Sequence, residues 1–216
     1  MNQLDIDALI LCGGEGTRIR DYLPPGLPKC LADINGTPFV AILEDHLQKA
    51  GFERFIYCTG YGHQEMSKFV GPPGRIVISW RTISHEDEVM GTGGAVAYAL
   101  EDIQSDPFIA VNGDTLCEID FRKLLEIHIL YGCDITIAID FLYRNVGVYV
   151  LSKKAIRKAA EVLGPKFNLD DAAKIWPANN IKINWYFTDA KYWDIGTPEG
   201  LEKFRCLRKD QQAVMA

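Results

Sequence analysis

The stretch ALILCGGEGTR, from Ala8 to Arg18, decides how the rest of the chain is read. Its five leading apolar residues are too few for a helix and suit a buried strand. The strand runs straight into Gly13, Gly14, Glu15, Gly16 and Thr17. Three glycines in four positions let the backbone turn through positive φ and bring its N–H groups close to a ligand. Successive N–H groups in such a turn form an anion-binding nest. Arg18 adds a planar fork of donors that matches phosphate oxygens, and Lys29, after Pro28, supplies a second cation. The stretch lacks the GxxxxGK[ST] of the P-loop, and Ile19 stands where GxGxxG needs its third glycine. Three glycines alone would fit a plain surface turn. With Arg18 and Lys29 added, residues Cys12 to Thr17 read as a phosphate cradle.

Outward from this turn, apolar runs alternate with amphipathic stretches. Strands are expected at 8–12, 54–58, 75–80, 108–111, 135–139, 146–151 and 181–187. Helices are expected at 38–50, ended by Gly51, and at 63–70, stopped by the glycines and prolines of 71–74. Further helices are expected at 92–100, 121–131 with Asp120 as N-cap, 152–163 capped by Ser152, and 168–176, with a last one starting at Thr197-Pro198. This order predicts an α/β fold: a Rossmann-like, mixed but mostly parallel sheet with helices on both faces, in a single domain. In such sheets ligands bind outside the carboxyl ends of the strands.

The 216 residues suffice for one well-buried domain, and with 48% hydrophobic and 24% charged residues the composition is that of a globular protein. A net charge of −6 argues against a general nucleic-acid binder. Six cysteines without a CxxC pair, and four histidines without zinc spacing, read as buried reduced thiols rather than a metal centre. No run reaches membrane-spanning length, and MNQLDIDALILC lacks a basic region before its apolar run, so a cytoplasmic location is expected.

The stretch LILCGGEGTRIRDYLPPGLPKCLADINGTPF resembles the signature of sugar-1-phosphate nucleotidyltransferases, the NDP-sugar pyrophosphorylases: a strand, GGxGTRL, PKPL and a hydrophobic-x-x-G-x-P. Cys30 replaces the proline that often follows the lysine. The resemblance implies the nucleotide-diphospho-sugar transferase fold, with residues 1–115 binding the nucleotide and 116–216 the acceptor. It implies that the cradle wraps NTP phosphates, with Arg18 on the β- and γ-phosphates and Lys29 near the reacting centre.

Three further segments carry the resemblance. SHEDEVMGTGGA, residues 84–95, is similar to the segment that lines the base and ribose, so Glu88, Gly91, Thr92 and Gly93 are nucleotide-binding candidates. A carboxylate acceptor, Glu88 or less favourably Glu86, suits the two adjacent N–H donors of guanine better than uracil or thymine. Asn112-Gly113-Asp114 after a strand, and Tyr192 to Pro198 (YWDIGTP), match the segments whose aspartates hold a metal. The resemblance therefore implies Mg²⁺ on Asp114 and Asp194, with Arg18, Lys29 and Asp114 as the catalytic set. Mg²⁺ takes one or two carboxylates plus phosphates and water, and offsets repulsion between two polyanions. Asn145-Val146-Gly147-Val148-Tyr149 is similar to the acceptor strand, which makes Asn112, Asn145 and Gly147 substrate-binding candidates.

One element departs from the pattern. Between the strands at 135–139 and 146–151, relatives carry about 25 to 35 more residues, including an E-K-P motif for the sugar phosphate, far beyond the usual connection length. Here only Asp140 to Arg144 stand there. Arg144 and Lys166 can replace the missing lysine by charge type alone. The compact length and motifs are most like the guanylyltransferases acting on heptose 1-phosphate or mannose 1-phosphate, with GTP as the favoured NTP partner. A cytidylyl- or uridylyltransferase acting on a sugar phosphate or a phosphocholine-like acceptor stays open. So does a catalytically impaired nucleotide-sugar-binding regulator. Assembly into homo-oligomers is also open.

Overall fold

The computed structural model describes residues 3–71, 74–76, 79–86, 88–175 and 177–215. Twelve strands occur among them: β1 (Leu4–Leu11), β2 (Asp33–Ile34), β3 (Thr37–Pro38), β4 (Phe52–Thr59), β5 (Gly74–Ile76), β6 (Ser79–His85), β7 (Phe108–Asn112), β8 (Thr115–Cys117), β9 (Ile135–Ile139), β10 (Asn145–Leu151), β11 (Ile183–Phe187) and β12 (Tyr192–Asp194). The helices are α1 (Phe39–Ala50), α2 (His63–Val70), α3 (Gly91–Tyr98), α4 (Phe121–Leu130), α5 (Lys153–Leu163), α6 (Leu169–Ile175) and α7 (Pro198–Met215).

Eight strands form one sheet in the order β11-β9-β10-β7-β1-β4-β6-β5. The pairs β7-β1, β1-β4, β4-β6 and β11-β9 are parallel, while β10 runs antiparallel to both neighbours and β5 to β6. The expected mixed, mostly parallel sheet is therefore present. Period-two alternation along β1 sends Ala8 and Ile10 into one core and Leu9 and Leu11 into the other. The first core gathers Phe39 and Leu43 of α1, Met66 of α2, Leu124 of α4 and Phe204 of α7. The second gathers Val96 of α3, Ile156 of α5 and Leu169 of α6. Helices thus cover both faces, and strands buried on both sides read as continuous apolar runs.

Local chemistry fixes the ends of several elements. Asp120 accepts from the Lys123 N–H at 3.1 Å, Ser152 from Ala155 at 3.2 Å and Thr197 from Gly200 at 3.1 Å. Gly51 closes α1 with φ 109°.

The run 75–80 is not one strand. Gly74–Ile76 and Ser79–His85 pair with each other as a hairpin, and it is β6 that joins β4 in parallel and carries the chain to His85. Residues 77, 78 and 87, Pro72, Pro73 and Trp176, to which the sequence reading extended, lie outside the described residues. Two short ladders, β8-β12 and β2-β3, have no counterpart among the expected strands. Of the six cysteines, four are buried, but Cys133 is half-buried and Cys206 exposed.

Buried Asp7 ties the start of the sheet to the chain ahead of β7. Its carboxylate accepts from Arg54 Nε at 2.5 Å and from the main-chain N–H groups of Gln104 and Ser105 at 2.5 and 2.6 Å. Arg54 keeps Asp5 as a second partner, so truncation of Asp7 orphans chiefly the two amides. Asp7→Ala is expected to destabilise the protein by about 2–4 kcal/mol, read as a lower urea midpoint. A change within about 0.5 kcal/mol would show that water replaces the carboxylate at no cost.

Candidate active site

The carboxyl ends of β1, β6 and β7 open into a cavity of about 440 Å³. Gly13, Gly14 and Arg18 reach it from the turn after β1, and Lys29 from a single 3-10 turn. Glu86 arrives after β6, Gly91 and Thr92 at the start of α3, Asn112 and Asp114 after β7, Asn145 at the start of β10, and Asp194 from β12. Arg18, Lys29, Asp114 and Asp194, spread over most of the sequence, share this one cavity.

The β8-β12 ladder makes that convergence possible. Asp194 stands in register with Thr115, and the Ile195 N–H donates to the Asp114 carbonyl at 2.9 Å. Main-chain pairing therefore brings the two acids to one end of a two-stranded ribbon. Gly196 then packs against both: a Cβ there would lie 2.8 Å from Asp194 Oδ1, 3.1 Å from Asp114 Oδ2 and 3.1 Å from Arg18 Nη2. Three charged groups thus surround a point that only a glycine leaves clear. Asp114 is buried and forms an ion pair with Lys29, while Asp194 Oδ1 accepts from the Gly196 N–H at 2.6 Å. Two carboxylates on the wall of one cavity suit a hard divalent cation, which usually completes its shell with phosphate oxygens and water. Among the described residues no group of three or more His, Cys, Asp or Glu is placed to hold a metal by itself.

On the opposite wall, Glu86 is 7% exposed and its Oε2 is buried without a hydrogen-bond partner among the described residues. A Cβ on Gly13 would meet Glu86 Oε1 at 2.9 Å, so the missing side chain makes room for the carboxylate. Burial pushes the Glu86 carboxyl up to about 6, against a pull downward from the Met90 N–H. Glu88, the residue favoured from the sequence, lies on the surface instead. It pairs with Lys166 at 2.5 Å, which holds its carboxyl below the usual range, and it does not line the cavity. The rise of the chain along β6 decides this: β6 ends at His85, so the next residue is the one delivered to the crevice.

Other candidates also fall outside the cavity wall. Cys12 is buried behind the turn, and Glu15 and Gly16 line a separate surface hollow with Arg20 and Tyr61. Thr17 is exposed and does not line the cavity. Gly93 faces the core: a Cβ there would strike the Phe167 ring at 2.2 Å. Gly147 packs on Asn112. Asn145 lines the cavity, yet its amide donates to Tyr149 Oη at 2.5 Å and Asp170 at 3.0 Å and accepts from the Gly147 N–H at 2.8 Å. Its hydrogen-bonding groups are thus spent on shaping the wall. Neither lysine substitute reaches the cavity: Arg144 is held by Asp140 at 2.6 Å, and Lys166 by Glu88.

The wall also includes Thr115, Tyr192 and Asn168, which sequence reading did not single out. Asn168 belongs to a segment clamped on the start of α3. The N–H groups of Gly93 and Gly94 donate to the Phe167 carbonyl at 2.9 and 3.0 Å, and Thr92 Oγ1 accepts from the Leu169 N–H at 3.0 Å. Gly91, with φ 76°, leaves space that a Cβ would fill 2.6 Å from the Phe167 carbonyl. No motif signals this contact, because its halves lie 76 residues apart.

An open α/β sheet with an amide turn, two cations and three carboxylates around one crevice defines a protein that handles phosphorylated ligands. The chain belongs to the MobA-like NTP transferase domain family, whose model matches residues 8–167, and it is a nucleotidyltransferase. It is 29% identical to the D-glycero-alpha-D-manno-heptose 1-phosphate guanylyltransferase of Aneurinibacillus thermoaerophilus, across 92% of this chain and 96% of that protein. It is 27% identical to the mannose-1-phosphate guanylyltransferase of Mycobacterium tuberculosis, across 90% of this chain and 62% of that one. Among solved structures, HddC from Yersinia pseudotuberculosis complexed with GMP-PN is similar at 29% identity and a TM-score of 0.76, covering 93% of this chain and 98% of that one. A UDP-glucose pyrophosphorylase at 17% identity and a TM-score of 0.78 shares the fold. No helix among the described residues is long and apolar enough to cross a membrane.

Two outcomes follow from this geometry. Gly196→Ala should lower turnover by about 100-fold, the scale of an ångström-level misplacement, with an unchanged urea midpoint; normal turnover would remove that point from the reaction path. Because the folded-state value of Glu86 is raised, its contribution to stability is full below about pH 4.5 and is lost as pH rises through about 6. The melting temperature of Glu86→Gln should therefore gain on that of the parent between pH 4.5 and 7, and parallel curves would contradict the burial of the charge.

Proposed function

We propose that the protein transfers GMP from GTP to a sugar 1-phosphate, releasing pyrophosphate and forming a GDP-sugar. The single observation that carries the choice of nucleotide is Glu86, a buried carboxylate with an unpartnered oxygen in the wall of the crevice. Guanine presents two neighbouring N–H donors to a carboxylate. Uracil and thymine present one, and cytosine offers its ring nitrogen as an acceptor, which an ionised carboxylate repels. Satisfying a buried charged acceptor that otherwise stays unpaired gives strong discrimination. The heptose and mannose 1-phosphate guanylyltransferase relatives support the same reading.

In the reaction an acceptor phosphate oxygen attacks the α-phosphorus of GTP. The bond to the bridging oxygen breaks, and pyrophosphate leaves with the electron pair. The attacking oxygen is already ionised, so no protein base is needed. The amides of Gly13 and Gly14 and the guanidinium of Arg18 hold the triphosphate. Lys29 pairs with Asp114 and exchanges that partner for a phosphate oxygen when the nucleotide enters. Asp114 and Asp194 would hold Mg²⁺, which supplies charge neutralisation between the polyanions and alignment of the in-line displacement. Thr115, Tyr192 and Asn168 line the remainder of the crevice, with the Tyr192 hydroxyl donating to Asp140, the Thr115 hydroxyl to Asp114 and the Asn168 amide to Asp171, and with the Asn168 oxygen accepting from the Thr92 N–H.

The test is pyrophosphate release with Mg²⁺, each NTP in turn and a panel of sugar 1-phosphates that includes heptose and mannose. Release with GTP is expected, and release with CTP or UTP instead would sink the assignment of the base. Asp114→Asn should abolish turnover with the fold intact. Glu86→Gln should lower the GTP preference by about 30- to 150-fold, corresponding to about 2–3 kcal/mol for a hydrogen-bonded charge.

A further inference from the structure

The glycine turn after β1 stands between two open spaces. Gly13 and Gly14 line the crevice, while Glu15 and Gly16 line the separate hollow of about 480 Å³. A stretch so rich in glycine has much backbone freedom to lose, and it keeps one shape only where other groups fix it. Two of its carbonyls are fixed here. The Tyr61 N–H donates to the Gly13 carbonyl at 3.2 Å. The Arg20 guanidinium donates to the Glu15 carbonyl and lies over the Tyr61 ring, 4.4 Å from its centroid. Arg20 thus links the turn to Tyr61 across the hollow.

Peptide geometry carries this to the crevice. In a planar trans peptide the C=O and the N–H point in opposite directions. The Gly13 carbonyl shares its peptide with the Gly14 N–H, and the Glu15 carbonyl with the Gly16 N–H. Holding the two carbonyls towards Tyr61 and Arg20 therefore turns both N–H groups away from them. Gly16, with φ 62°, has the left-handed conformation that an anion-binding nest uses. Lys29 runs along the turn: Cβ atoms built on Gly14 and Gly16 would lie 3.5 and 3.4 Å from its side chain. The amides and the lysine are thereby kept in one fixed relation. Arg20 is exposed, and neither it nor Tyr61 belongs to either core or lines the crevice.

We propose that Arg20 and Tyr61 are positioning residues for the triphosphate: together they brace the glycine turn so that the Gly14 and Gly16 amides face the phosphates. This rests on the reading of the turn as a triphosphate cradle. The ring supports the turn only through the guanidinium, so the brace fails when either partner is lost. The ring face carries a cation–π contact, so the tyrosine hydroxyl is dispensable.

Binding of inorganic tripolyphosphate to the full chain, read by calorimetry, tests the brace without the base or the sugar. Arg20→Ala and Tyr61→Leu should each weaken it about 10-fold. Each should raise the KM for GTP alike, with the KM for the sugar 1-phosphate and the urea midpoint unchanged. Tyr61→Phe keeps the ring and should bind as the parent does. Arg20→Ala combined with Tyr61→Leu should bind no more weakly than Arg20→Ala alone, because one contact is lost in both. Tyr61→Leu retains the charge of Arg20. Parent-like binding by it would show that Arg20 acts as a bare charge, and would overturn the brace. Additive losses in the double variant, or a urea midpoint that falls with the binding, would overturn it equally. So would a parent that does not bind tripolyphosphate. A parent that binds it but releases no pyrophosphate with any NTP would instead overturn the proposed reaction, and the binding series would still decide the brace.

Discussion

The short antiparallel ladder between β8 and β12 is the constraint on which the crevice depends. It joins a segment after the central strand β7 to one close to the C-terminal helix, and it does so through main-chain hydrogen bonds. The register sets Asp194 beside Thr115, one residue from Asp114. A slip of one position would turn a side chain to the other face of the ribbon and leave the acids apart. Two carboxylates held this close repel each other. Lys29, ion-paired with Asp114, and Arg18 on the same wall offset that repulsion. The strand pairing meets the remaining cost before any ligand arrives.

The opposite wall works by desolvation. Glu86 leaves β6 into a space cleared by the missing side chain of Gly13, where one of its oxygens finds no donor. A buried acceptor without a partner costs free energy, and a group with matching N–H donors removes that cost. The clamp of Phe167 and Asn168 on the start of α3 stabilises this side of the crevice. It also brings Asn168 into the wall beside Thr92. Further along the same segment Asp170 accepts from the Asn145 amide, whose oxygen accepts from the Gly147 N–H, so the start of β10 is tied to the start of α6.

The short connection between β9 and β10 has two structural consequences. It leaves no cation of its own in the crevice, since Arg144 folds back on Asp140, whose carboxyl it helps to hold down at about 2 against the opposing effect of burial. It also leaves Phe141, Leu142 and Tyr143 at the surface beside an open strand edge. The short connection therefore supplies no side chain to the cavity wall and leaves an apolar run at the surface.

The sequence by itself determined the strand-turn opening at Ala8 to Arg18, the alternation that yields a two-faced sheet, most helix ends and the identity of the four charged residues at the centre. These are local matters: periodicity, caps and turn chemistry act within a few residues. Only the tertiary structure showed that Glu86, not Glu88, lines the crevice. That choice depends on where β6 ends against β4, and the expected strand at 75–80 had hidden β6. Tertiary structure alone also placed Asn168 in the wall, withdrew Gly93 into the core and moved Glu15 and Gly16 to a separate hollow. Each of these outcomes is set by contacts between segments tens of residues apart, and such contacts leave no periodic trace along the chain.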